Sequence, residues 1–302
     1  MSLQFIMGNS GSGKSYCLYD TVVREAIENP DKNYLVIVPE QFTMQTQKDL
    51  CLAHPKGGIM NIDVLSFGRL AYRVFEEVGQ DARVVLDDEG KNLVLRKIAG
   101  ECEKDLKVFK GNLKKQGYIS EVKSVLSEFA QYGVDFERLD DFMKEVPPES
   151  YLHYKLDDIR TIYEKFEEYL SEKYITKEEM LDVLSDAVPY SDILKGSVVA
   201  MDGFTGFTPV QNRLIGELFS VCEKVMITVT MDGRENPYVY EHPYQIFALG
   251  KQMVTSLMKI AGEKKTEIEE PICLFERPVY RFRDCSEMAF LETELFRYSG
   301  AK

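Results

Sequence analysis

The stretch "IMGNSGSGKSYCLYD", Ile6 to Asp20, joins an apolar run to a glycine-rich turn and a helix-forming segment. Leu3 to Met7 is short and apolar and ends at Gly8, which predicts a strand. Leu18, Val22, Val23, Ala26 and Ile27 then recur at helical spacing. Between the two, Gly8, Gly11, Gly13, Lys14 and Ser15 satisfy GxxxxGKS in full. Glycines there permit backbone angles that a side chain forbids, so successive amides converge on phosphate oxygens, and the following helix adds the positive end of its dipole. The residues expected to hold nucleotide are Gly8, Asn9, Ser10, Gly11, Ser12, Gly13, Lys14 and Ser15. In this pattern Lys14 reaches the outer phosphates and the Ser15 hydroxyl ligates magnesium, so the expected cofactor is ATP with Mg2+.

Working outward, Asn29-Pro30-Asp31 breaks the chain and Tyr34 to Val38 is a β-branched run stopped by Pro39, completing a βαβ unit on a parallel sheet. A second unit follows, with Gln41 to Cys51 helical and Ile59 to Leu65 the next strand. Leu70, Ala71, Val74, Phe75 and Val78 then share one helical face, and Gly79 stops it. From Asp87 to Asp192 the pattern is helical. Its clearest helix carries Ile159, Ile162, Tyr163, Phe166, Tyr169 and Leu170 on one face, and another is opened by a capping box of Thr176 and Glu179. Strands return at Ser197 to Met201 and Val225 to Thr230, separated by a helical Val210 to Phe219. The expected organisation is a discontinuous α/β domain, residues 1–86 plus 193–302, interrupted by a helical insertion, 87–192. "EKKTEIEE", residues 263–270, reads as a solvated charged stretch.

The 302 residues are 44% hydrophobic, enough for a substantial core, and carry 37 basic against 50 acidic residues, a formal charge of -13. That balance argues against a polybasic nucleic-acid tail or a membrane-surface helix. No run approaches the roughly 18 apolar residues of a spanning helix, so no membrane partner and a cytoplasmic location are expected. Six cysteines, Cys17, Cys51, Cys102, Cys222, Cys273 and Cys285, form no CxxC pair, which supports neither zinc nor an iron–sulfur cluster within these residues. His54, His153 and His242 are isolated in sequence and given no metal role.

Hydrolysis needs a second carboxylate for magnesium and a residue that orients water. In "VVAMDGFTGFTPVQ" an apolar strand delivers Asp202 to the sheet edge, a second candidate magnesium contact, but Gly203 follows where an acid would be needed.

With these motifs in order, the chain resembles the first helicase domain of superfamily 1, and most closely the N-terminal part of the B subunit of the bacterial AddAB (RexAB) helicase-nuclease. "VIVPEQFTMQTQ", Val36 to Gln47, and "DVLSFGRLAYRVF", Asp63 to Phe75, resemble blocks that lie beside single-stranded DNA in active relatives. The resemblance makes Gln41, Thr43, Ser66 and Phe67 candidate DNA contacts. It implies a RecA-like P-loop NTPase fold of the α/β class, with the helical stretch as an inserted subdomain.

In active members the last block reads DExQD, then Thr-Asn, then a glutamine. Here Asp202 and Gln211 keep the ends, while Gly203, Thr205 and Gly206 replace the glutamate, the glutamine and the second aspartate. "MDGRENPY" lacks the Gly-Asp-x-x-Gln signature that couples nucleotide to DNA, and only seven residues precede Gly8, leaving no room for the upstream adenine-reading glutamine.

The resemblance therefore implies a fragment that binds nucleotide without a motor of its own. The expected setting is an ATP-dependent helicase and exonuclease of double-strand break repair by homologous recombination. Its expected partners are the A subunit, in a heterodimer, and DNA, with a role in recognising Chi. The nuclease and iron–sulfur cysteines are expected only in a C-terminal region beyond Lys302.

Two other readings share the same loop: a self-contained small-molecule kinase, and an interaction scaffold with a vestigial pocket. Among weaker signals, Lys104, Lys107, Lys110, Lys114 and Lys115 make a basic stripe whose spacing puts several on one helix face, a DNA-backbone contact or a solvated face. Phe42, Phe67 and Phe207 are candidates for base stacking or for the core.

Overall fold

The apolar run before the glycine turn forms strand β1 (Ser2–Gly8) and the segment after it helix α1 (Lys14–Glu28), in a computed structural model that describes residues 1–79, 83–113, 115–171 and 173–295. Next come β2 (Tyr34–Ile37), a short 3-10 turn at Glu40–Phe42, α2 (Thr43–Ala53), β3 (Ile62–Leu65) and α3 (Phe67–Val78). Residues 59–61 precede the third strand rather than belonging to it. There the Asn61 amide donates to the carbonyls of Ala26, Asn29 and Lys32, closing the turn after α1. On α1, Leu18, Val22, Val23 and Ala26 are buried as their spacing predicts. Tyr19 is buried in place of Ile27, which is exposed.

The chain divides into two compact units, the first made of 1–78, 185–207 and 212–302, the second of 79–184 with 208–211. The second unit holds β4 (Val84–Leu86), α4 (Asp88–Cys102), α5 (Gln116–Tyr132), α6 (Phe136–Glu145), α7 (Tyr151–Leu170), β5 (Tyr174–Thr176) and most of α8 (Glu179–Ala187). Its core is one cluster in which Leu95 and Ile98 of α4, Val122 and Leu126 of α5, Leu139 of α6 and Ile159, Ile162 and Phe166 of α7 meet. Tyr169 leaves the expected apolar face of α7. Its ring stacks on Tyr174 at 6.0 Å, and the Lys97 ammonium lies 4.7 Å from it. The segment is not purely helical, because β4 and β5 pair in parallel. The capping box holds: Thr176 N donates to Glu179 Oε2 at 2.7 Å and Glu179 N to Thr176 Oγ1 at 3.2 Å.

The lysine stripe is not a helix face. Between α4 and α5 the chain runs in turns, because the buried Asp158 carboxylate accepts from the backbone amides of Lys107, Val108 and Phe109 at 2.8, 2.7 and 2.8 Å. Three consecutive amides converging on one side chain are incompatible with i to i−4 bonding. Lys107 pairs with Asp157 at 2.9 Å, Lys115 lies 5.9 Å from the Tyr118 ring, Lys104 and Lys110 are exposed, and Lys114 lies outside the described residues. Asp158→Asn keeps the shape but loses the charge and one acceptor. It is expected to destabilise the protein by about 2 kcal/mol, read as a lowered urea midpoint.

The chain re-enters the first unit through β6 (Val198–Met201), α9 (Pro209–Val221), β7 (Lys224–Thr230), α10 (Ala248–Lys264), β8 (Glu267–Ile268), β9 (Ile272–Leu274) and α11 (Ser286–Glu294). The strands order as β3-β2-β6-β7-β1, with β8 and β9 pairing along the other edge of β1, and every pairing is parallel. This is an α/β architecture around a seven-stranded sheet.

Ile6, Val36, Val198, Ala200 and Met226 point to one face, where they meet Leu18, Val22 and Val23 of α1 and Leu50 of α2. Their alternates Phe5, Met7, Leu35, Ile37, Val199, Met201 and Ile227 are buried too, as strands covered on both faces require. Residues 263–270 are not simply solvated. Thr266 N caps α10 through the Ala261 carbonyl, β8 joins the sheet edge, and Glu269 pairs with Lys224 at 2.8 Å. An edge strand needs only its backbone paired, so charged side chains are tolerated there. Among the described residues no helix is long and apolar enough to cross a membrane.

Candidate functional site

Parallel pairing brings the ends of β1, β6 and β7 to one edge of the sheet, where ligands of open α/β sheets gather. Gly8 ends β1, the loop Asn9–Gly13 follows, and Lys14 opens α1. Gly11 has φ +83, and a Cβ on it would lie 2.8 Å from Arg281 Cβ, so conformation and close approach both require glycine. The Gly11 carbonyl accepts from Arg281 N at 3.1 Å.

A cavity of about 490 Å³ opens at this edge, lined by Ser10, Gly11 and Gly13 of the loop with Lys14, Ser15, Tyr16, Asp202, Gly203, Thr228, Thr230, Tyr280 and Arg281. Lys14 Nζ donates to the carbonyls of Gly8 at 3.0 Å and Asn9 at 2.8 Å, leaving one of its three donors. Burial pushes the Lys14 ammonium down to about 8; the Asp202 carboxylate opposes this and the Arg281 charge adds to it. The buried Ser12 hydroxyl, without a hydrogen-bond partner, packs against Gly8, where a Cβ would collide with its Oγ, and does not line the cavity.

Asp202 is buried, and both its oxygens are engaged. Oδ1 accepts from Thr228 Oγ1 at 2.6 Å and Oδ2 from Tyr19 Oη at 2.8 Å, while Tyr19 Oη also meets Thr46 Oγ1 of α2 at 3.2 Å. Burial, then the Asp202 charge, hold the Tyr19 phenol well above its ordinary range, so it stays a donor. A carboxylate offers about four acceptor sites, so two remain for a metal's water. Gly203 follows at φ +79, in the left-handed region that glycine alone adopts without strain.

The fit to nucleotide with magnesium is good on chemical grounds. The cavity falls in the usual range for small-molecule sites. Among the described residues no cluster of three or more His, Cys, Asp or Glu side chains could cage a metal. Magnesium is ordinarily held by one or two protein oxygens together with phosphates, which Ser15 and Asp202 can provide.

The structure brings Lys14, Ser15 and Asp202 together and adds four residues that the sequence reading missed: Tyr19, Thr228, Tyr280 and Arg281. Tyr19 was legible in part, since it falls beside the apolar face of α1. Tyr280 and Arg281 carry no local signal at all.

The candidate DNA residues differ in what they present. Gln41 is exposed, the Thr43 hydroxyl donates to Glu40 O at 3.0 Å, and Ser66 Oγ accepts from Arg69 N at 3.3 Å as the cap of α3. Phe67 is buried against Phe204 at 5.4 Å and Phe207 at 6.3 Å between ring centroids, whereas Phe42 is 49% exposed.

A family model described as "ADDB, N-terminal" matches residues 5–292. Among curated relatives, a protein of Lachnoclostridium phytofermentans, named as the B subunit of an ATP-dependent helicase/deoxyribonuclease, is 44% identical over 99% of this chain and 26% of its own length. Proteins of the same name from Clostridium acetobutylicum and Clostridium tetani are each 34% identical over 99% of the chain. The chain thus spans about a quarter of the length of the relatives it matches. A match running from β1 into α11, and so taking in the glycine-rich loop, Asp202 and Arg281 together, means that this chain belongs to the ADDB N-terminal family.

Proposed function

We propose that this chain is the nucleotide-holding, helicase-like head of the B subunit of an ATP-dependent helicase and deoxyribonuclease, with a RecA-like superfamily 1 domain that binds Mg-ATP and does not turn it over. The observation that carries this reading is the pairing of a complete phosphate cradle with Asp202-Gly203. Lys14 and Ser15 suit phosphate and magnesium, and Arg281 adds a second cation at the cavity wall. When bound, magnesium would neutralise phosphate charge. Lys14 and Arg281 would orient the phosphates, with Ser15 and Asp202 holding the ion directly or through water. No carboxylate follows Asp202 to orient an attacking water, so the site binds and does not hydrolyse.

In the whole protein, the partner would be the A subunit and the polymer DNA, in repair of double-strand breaks by homologous recombination, with a part in recognising Chi. The family membership, and the relatives' naming as the B subunit of an ATP-dependent helicase/deoxyribonuclease, support the chain's place in a helicase and deoxyribonuclease of more than one subunit.

Calorimetry with Mg-ATP and a phosphate-release assay on the 302-residue chain test the reading together: saturable binding without turnover supports it, and turnover abolished by Lys14→Ala would refute it. Gly203→Glu is expected to restore no ATPase. A glutamate at φ +79 is strained by about 1 to 2 kcal/mol, and relief of that strain turns the carboxylate away from the geometry of a regular strand-end acid. Phosphate release above background in this variant would show that the missing side chain alone prevents turnover.

A further inference from the structure

The side chain of Asn9, second residue of the phosphate loop, is buried and tied to a distant part of the chain. Its Nδ2 donates to Glu292 Oε1 of α11 at 2.8 Å, across 283 residues of sequence. Glu292 is itself fixed, because Oε2 accepts from Arg277 at 3.0 Å and Arg277 reaches Asp232 at 2.9 Å. Arg277 also donates to the Thr293 hydroxyl, and Arg234 to the Thr293 carbonyl at 2.9 Å, so the end of α11 is held by two guanidiniums that share Asp232.

A carboxylate only accepts. Glu292 therefore fixes the Asn9 amide with its nitrogen toward α11 and leaves Asn9 Oδ1 without a partner. An orphaned buried acceptor is unfavourable, and the structure holds one here in exchange for a defined orientation of Asn9. The main chain of the same residue organises the loop: Asn9 O accepts from Ser12 N at 3.1 Å and from Lys14 Nζ at 2.8 Å.

We propose that Glu292 is a positioning residue of the phosphate loop: by anchoring the Asn9 side chain it sets the carbonyl that places the Lys14 ammonium. The consequence for affinity rests on the nucleotide reading above. Docking of α11 and occupancy of the loop are then thermodynamically linked, each favouring the other.

The test compares Glu292→Ala, Glu292→Gln and Asn9→Ala in the 302-residue chain. One readout is hydrogen exchange of the peptide spanning Gly8 to Ser15 without nucleotide; the other is calorimetric affinity for Mg-ATP. Glu292→Ala removes the bond from Asn9 and the pair with Arg277, and is expected to speed exchange in that peptide and weaken binding, each at least about tenfold, the effect of one charge-assisted hydrogen bond. Glu292→Gln keeps one acceptor oxygen for Asn9 but sets its NH2 against the Arg277 guanidinium, so it should recover part of both effects, falling between Glu292→Ala and the unsubstituted chain. Asn9→Ala should change both readouts in the same direction, and on the Glu292→Ala background it should add nothing further, because the contact it removes is already gone.

Unchanged loop exchange in Glu292→Ala would overturn the proposal. So would tighter binding in both Glu292 variants, which would make the residue a repulsive charge and not an anchor. Global unfolding is separated by peptides of the second unit, whose exchange must stay at the unsubstituted rate. An unsubstituted chain that binds no ATP would remove the nucleotide reading alone, because the exchange comparison needs no nucleotide.

Discussion

Lys14→Ala is expected to weaken Mg-ATP binding at least about a hundredfold, to the limit of calorimetric detection, with the fold intact. The ammonium already donates to two loop carbonyls and has one hydrogen left for phosphate. Its position is enforced by the loop, so no other cation replaces it; Arg281 enters the cavity from a different segment.

On the proposed nucleotide reading, the same lysine should make binding pH-dependent. Burial lowers its pKa from 10.5 to about 8, so the cation that phosphate needs is lost as pH rises through that value. Affinity should therefore fall above about pH 8 in the unsubstituted chain, with proton uptake on binding seen by calorimetry in buffers of different ionisation heat.

For folding the sign is opposite. A lysine with a depressed folded pKa contributes stability that is fully present above the unfolded value of 10.5 and is lost as pH falls through about 8. Below about 8 the nucleotide-free protein carries a partly desolvated charge, and Lys14→Ala should be at least as resistant to urea as the original.

Asp232→Ala is expected to have the largest effect on stability, about 3 to 5 kcal/mol, measured as a fall in urea midpoint. Its side chain is 3% exposed and accepts from Arg234 and Arg277 at 2.7 and 2.9 Å, with Arg234 N adding a backbone bond at 2.9 Å. Truncation leaves two guanidiniums facing a hole and frees the end of α11. Burial alone would raise the Asp232 pKa, but the Arg234 hydrogen bonds, followed by the charges of Arg234 and Arg277, outweigh it and hold the carboxyl well below the usual range. A depressed carboxylate contributes stability that is present above its unfolded pKa and lost as pH falls through the folded value. The protein should thus lose this contribution progressively below about pH 4, and Asp232→Ala should flatten that acid limb.

Much of the first unit was readable because its signals are local. The apolar runs from Leu3 and Tyr34, and those ending at Leu65, Met201 and Thr230, became β1, β2, β3, β6 and β7 within a few residues. A strand covered on both faces needs a continuous apolar stretch and announces itself. The region after Asp232 was opaque for the converse reason. Helix α10 has buried residues at helical spacing, but it follows a long stretch of Tyr and Pro, and β8 and β9 are edge strands whose backbone does the pairing. The lysine stripe misled because helical spacing in sequence cannot reveal that Asp158, about fifty residues later, captures three amides and forces turns.

By itself the sequence determined the glycine-rich loop, the strand before it, the helix after it and the Asp202-Gly203 break, since each is a property of adjacent residues and of the backbone angles that glycine permits. Only the tertiary structure decided what surrounds that loop. Tyr19 and Thr228 hold Asp202, Arg281 faces Lys14, and Glu292 accepts from Asn9, all through contacts set by parallel register and the return of β8 and β9 to β1. Hydrogen bonds and charges act over a few ångströms, and which groups come that close is fixed by the packing of the sheet and not by their spacing along the chain.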